Sequence, residues 1–151
     1  MMKRGALTAA AVVFALAGTA TAEQTTTTNL KVDAYVLEVC TVAKNTDINF
    51  GDLNPLADPA TTYTNSKTGA TRGQITVNCT AGTGYTLSGP SSALMAQGSD
   101  TIAYSPIIPA GTFSGSVTGT QHYIDASVNK SAYENVPTGA YTGTLTVTVT
   151  Y

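Results

Sequence analysis

From residue 23 onward, apolar and polar positions alternate with a period of two. Leu30, Val32, Ala34 and Val36 alternate with Lys31, Asp33 and Tyr35; Ile75, Val77 and Cys79 alternate with Thr76 and Asn78; Ile124, Ala126 and Val128 alternate with Asp125 and Ser127. A period of two sends successive side chains to opposite faces, so each stretch predicts a half-buried strand. Shorter strands are predicted at residues 47–50, 85–88, 101–107 and 113–117. Between them lie turn-rich pieces at residues 51–55, 82–84, 88–90 and 109–111. Beyond residue 22 there is no stretch with apolar side chains at i, i+3, i+4 and i+7, the spacing of an amphipathic helix. Seven or eight short strands joined by turns predict a β-sandwich.

The final stretch has the clearest pattern. Leu145, Val147, Val149 and Tyr151 fall on one face and Thr144, Thr146, Thr148 and Thr150 on the other. A strand with one continuous apolar face lies on a core, so Tyr151 is expected to be buried in a sheet. At the other end, the strand at residues 30–36 follows a leader, Thr25 to Thr28, whose apolar content is too low to fold alone. Two readings fit its alternation: the first edge strand of a complete sandwich, or a strand that adds itself to a neighbouring molecule's open sheet edge. The period does not choose between them.

Residues 1–22 have a different character. Lys3 and Arg4 precede a small-apolar stretch that ends in Ala20-Thr21-Ala22. This is the pattern of a secretory signal peptide cut after Ala22. The apolar stretch is shorter than the roughly 20 residues a spanning helix needs, and no membrane span is expected in the mature chain. The mature chain then carries five basic and nine acidic side chains, a net charge of −4, which excludes the basic surplus of nucleic-acid binders. Export to an oxidising compartment makes Cys40 and Cys79, with 38 residues between them, a disulfide in preference to a metal half-site or redox pair. Threonine occupies 28 positions, and its branched Cβ suits the strands already read from the alternation.

Three stretches carry a family resemblance. The first is Cys40-Thr41-Val42 followed by Ile48-Asn49-Phe50-Gly51-Asp52-Leu53-Asn54-Pro55-Leu56. The second is Gly73-Gln74-Ile75-Thr76-Val77-Asn78-Cys79-Thr80 with Gly84-Tyr85-Thr86-Leu87, and the third runs from Pro137-Thr138-Gly139-Ala140-Tyr141 through the alternating Thr and apolar residues to Tyr151. Together they resemble the spore coat protein U domain family, which includes the subunits of archaic chaperone-usher pili. Between Ser91 and Asn135 the chain departs from the pattern, without the Trp-Gly segment and arginines of many members.

The resemblance implies an all-β protein, an incomplete immunoglobulin-like β-sandwich with an N-terminal donor strand and one disulfide. Residues 1–22 would be the signal peptide, 23–39 the extension with the donor strand, and 40–151 the sandwich. Leu30, Val32, Ala34 and Val36 correspond to the donor side chains, and Leu145, Val147, Val149 and Tyr151 to the strand that lines the acceptor groove and meets the chaperone. Cys40 and Cys79 correspond to the family disulfide. The implied partners are identical or related pilin subunits in a head-to-tail polymer, a periplasmic chaperone and an outer-membrane usher. The implied location is a fibre at the cell surface serving adhesion or biofilm formation, with no enzymatic activity and no cofactor. A self-complete secreted coat or matrix sandwich and a lectin-like binding module are the alternatives.

Other chemistry is weakly marked. Ser127-Val128-Asn129-Lys130 and Lys67-Thr68-Gly69 match two elements of penicillin-binding enzymes in reversed order, with no S-D-N between them. His122 has no G-x-S-x-G partner and opens a predicted strand, so it is expected to be structural. Asp47, Asn49, Asp52, Asn54 and Asp58 surround a glycine turn but miss the EF-hand spacing, and turn formation explains them more simply than calcium. Asn78 and Asn129 open N-glycosylation sequons, and the tyrosines are expected at core edges more than on a sugar-binding face.

Overall fold

A computed structural model describes residues 23–151; the expected signal peptide lies outside the described residues. The chain divides into two units between Ala34 and Tyr35. Within the first unit, residues 23–34 form neither helix nor strand, and an exposed ion pair joins Lys31 to Asp33 at 3.1 Å. The second unit is all-β, with one short 3-10 turn at Lys130–Ala132.

Among the described residues nine strands make two sheets: β1 (Cys40–Thr46), β2 (Thr61–Tyr63), β3 (Gly73–Cys79), β4 (Gly84–Ser88), β5 (Ala93–Gln97), β6 (Asp100–Ile107), β7 (Thr112–Ser114), β8 (Thr120–Asn129) and β9 (Thr148–Thr150). The larger sheet runs β1-β3-β8-β6-β5, with β2 also on β8; the smaller runs β7-β4-β9. Every ladder is antiparallel, so one face of each sheet can be apolar and the other wet.

The strands with the cleanest alternation form the centre. Val77 and Cys79 of β3, and Ile124, Ala126 and Val128 of β8, are almost completely buried, while Asn78 and Tyr123 face outward. The core has two clusters. Phe50, Ile102, Tyr104, Ala126, Val128 and Tyr133 form one; Ile75, Val77, Cys79, Tyr85, Leu87 and Ile124 form the other. The expected disulfide joins Cys40 to Cys79, which stand opposite each other in the β1–β3 ladder. It ties the first residue of an edge strand to the last residue of a central one.

Three strand expectations meet a different outcome: residues 47–50 form only an isolated bridge, Asn49 with Thr71, and the other two lie at the ends of the chain's pattern. Residues 30–36 alternate as a half-buried strand should, yet they belong to no ladder, and Leu30, Val32 and Val36 are all at least 75% exposed. Tyr151, expected to be buried, is 57% exposed because it lies one residue past the last ladder pair, Thr86 with Thr150. Only Thr148–Thr150 of the long C-terminal pattern forms a ladder, while Leu145, Val147 and Val149 pack against the second core cluster. Further back, Thr142 exchanges two backbone hydrogen bonds with Ala96 of β5, at 2.8 and 3.1 Å. The C-terminal segment is therefore held by the larger sheet at Thr142 and by the smaller sheet at β9.

Candidate functional site

β1 and β9 are both edge strands: β1 pairs only with β3, and β9 only with β4. Between β1 and the C-terminal segment lies an open groove of about 1310 Å³. One wall is Val42, Lys44 and Thr46 of β1, continuing through Ile48 and Phe50. The other wall is residues 136–145 with Val147. The floor includes Ile75, Ile102, Tyr104, Ile124 and Tyr133. Apart from Tyr133, these side chains come from strands whose alternation aims them inward, so the groove opens directly onto core.

The walls offer unpaired main-chain groups as well as apolar surface. An edge strand presents a row of N–H and C=O groups able to accept another strand. The β1 edge carries two features that limit such pairing: a register irregularity between Lys44 and Thr46, and the inward placement of Lys44 opposite Ile75. Lys44 lies across from a core residue, yet its side chain is 66% exposed and its Nζ reaches Asp47 at 2.7 Å. Lys44, Asp47 and Asp52 are the charged groups along the described lining, and all lie on the β1 side.

The loop between β1 and β2 holds the floor in place. Asn49 Oδ1 accepts from the Gly51 N–H, and Asn54 Oδ1 accepts from the N–H groups of Leu56 and Ala57. Gly51 itself has φ +69°, the left-handed conformation that glycine adopts without a side-chain clash. Asp58 Oδ2 accepts from the Asn54 N–H, from Lys67 Nζ at 2.8 Å and from the Tyr133 hydroxyl. Burial raises the Asp58 carboxyl, but the hydrogen bonds from Lys67 and Asn54 outweigh it and hold the group below its ordinary value. The cluster fixes the Tyr133 ring in the groove floor. These Asx residues thus build turns, and the described residues contain no group of three or more His, Cys, Asp or Glu able to hold a metal.

Of the four residues expected on the C-terminal strand, Leu145 and Val147 line this groove; Val149 packs into the second core cluster and Tyr151 faces solvent. Sequence reasoning missed the opposite wall, although Val42 follows Cys40 on the same face of β1. It also missed Tyr133 and Tyr141, whose stretch carries no strand pattern. His122 is structural: it is buried, its Nε2 lies 2.7 Å from the Tyr85 hydroxyl, and its ring stands 4.4 Å from Phe113.

The geometry is that of an all-β sandwich with an open groove between the β1 edge and the C-terminal segment. The chain belongs to the Spore Coat Protein U domain family, whose model matches residues 26–105. The family is one of structural, pilin-type proteins exported to surface fibres. The match takes in residues 30–36 as well as the strands through most of β6, and stops short of the C-terminal motif. No curated protein and no solved structure matches the chain. Among the described residues, no helix is long and apolar enough to cross a membrane.

Proposed function

We propose that the protein is a non-enzymatic subunit of a chaperone-usher surface fibre, assembled by donor-strand exchange for adhesion or biofilm formation. In this reading the groove is filled first by a periplasmic chaperone and then, at an outer-membrane usher, by residues 30–36 of the next subunit. The observation that carries the reading is the open groove itself, a channel between the β1 edge and the C-terminal segment that opens onto core side chains. A family match that extends into the leader supports it. The alternating residues 30–36 have the one apolar face that an added strand needs.

The joint has a workable size. Full burial of Leu30, Val32 and Val36 contributes roughly 5 to 9 kcal/mol of gross transfer free energy, with new main-chain hydrogen bonds adding to it. Ordering the leader and immobilising a subunit offset part of this gain. Because each copy donates from one surface and accepts at another, the contact does not close on itself and generates a filament.

The deciding experiment is assembly of the mature chain with Val32→Asp. A carboxylate forced into an apolar channel costs several kcal/mol, so stable oligomers fall by about 100-fold or more. Heat-sensitive, detergent-resistant oligomers measured on gels provide the readout. Assembly equal to that of the unchanged protein would show that Val32 fills no pocket, and a stable monomer that needs no chaperone would favour a self-complete coat protein.

A further inference from the structure

The wall of the groove carries one residue at odds with its position. In the β1–β3 ladder, Val42 and Lys44 stand opposite Val77 and Ile75, both of which face the core, so both wall residues lie on the groove side. Val42 suits that side. Lys44 keeps its ammonium at the rim through Asp47, while its aliphatic stem remains along the wall. Any strand laid beside β1 must meet that stem. Opposite it, a large apolar side chain would either displace the ammonium from Asp47 or cover it without a partner.

The alternating face of residues 30–36 reads Leu30, Val32, Ala34, Val36, with a single small residue in the third place. Resting on the fibre reading above, we infer that Ala34 of one subunit packs against Lys44 of the next, and that this small-against-large pair sets the register of the joint. Sliding the strand by two residues in either direction brings Val32 or Val36 against the lysine and moves Ala34 to an apolar position, where it leaves space unfilled. The pairing thus favours one register over both neighbours, whichever way the incoming strand runs.

The test uses the full mature chain in four forms: unchanged, Ala34→Leu, Lys44→Ala, and both together. Ala34 lies in no ladder of its own subunit, so its substitution leaves the donor's sandwich intact, and thermal unfolding of monomers checks the same for Lys44→Ala. Overpacking at the joint lowers the yield of detergent-resistant oligomers about tenfold in Ala34→Leu, and the double variant regains most of that loss. Lys44→Ala alone removes the large partner of the pair and lowers oligomer yield, by less than Ala34→Leu does. A double variant as poor as Ala34→Leu, or an Ala34→Leu chain that assembles normally, overturns the pairing and leaves the fibre reading standing. Absence of oligomers from the unchanged chain overturns both.

Discussion

His122 shows how a polar residue can serve a core. It enters β8 on the inward face, where Tyr85 supplies a hydrogen bond and Phe113 an aromatic contact. Burial disfavours the imidazolium and lowers the His122 pKa below its ordinary value near 6.5. The unfolded chain therefore binds a proton more readily than the folded one. This contribution to stability is fully present above the ordinary value and is lost as pH falls through the folded value. Replacing His122 with Phe should flatten the loss of thermal stability between neutral and mildly acid pH, as measured by melting the monomer across that range. An unchanged slope in His122→Phe would assign the acid response to other groups.

At the scale of elements, the C-terminal segment behaves differently from what its pattern promises. Its alternation predicts one long strand, but the backbone is shared between the sheets, bonded to Ala96 at Thr142 and to β4 at β9. The crossing depends on Gly143, because a Cβ there would collide with the carbonyl oxygen of Leu94. Gly143→Ala should force the segment away from β5 and destabilise the monomer by about 1 to 3 kcal/mol, readable as a lower denaturant midpoint. The same substitution at Gly82, where a Cβ would meet nothing within 4 Å but φ is +85°, isolates the cost of backbone strain alone.

This comparison also explains what was legible in the sequence. Period two identified β3 and β8 because both are buried on one face along their whole length. It did not reveal β5, Ala93–Gln97, which contains no β-branched residue, nor β2, which is three residues long. Alternation reports which face of a strand is apolar but not which sheet receives it, so it left residues 30–36 open between a strand of this molecule and one added to a neighbour; they join no ladder within the chain. The pairing of Cys40 with Cys79 was legible from compartment and count. The β1 wall of the groove was not, because Lys44 interrupts its apolar pattern at the point where the wall turns toward the rim.

At the scale of the whole molecule, strand and groove are separate possessions of one chain. The leader stops being free at a defined point: Thr80 Oγ1 donates to the Leu37 carbonyl at 2.9 Å and accepts from the Val39 N–H at 3.2 Å, beside the disulfide. In the proposed fibre the exchanged segment would therefore end at Val36, directly before these bonds. In polymer terms each subunit of the proposed fibre would be a bifunctional monomer with two unlike reactive ends. A copy lacking residues 23–36 keeps its groove and loses its strand, which makes it monofunctional. Mixed with the unchanged protein, it should act as a chain stopper, and mean filament length by electron microscopy should fall inversely with its share. Filament length would then be set by composition as well as by supply.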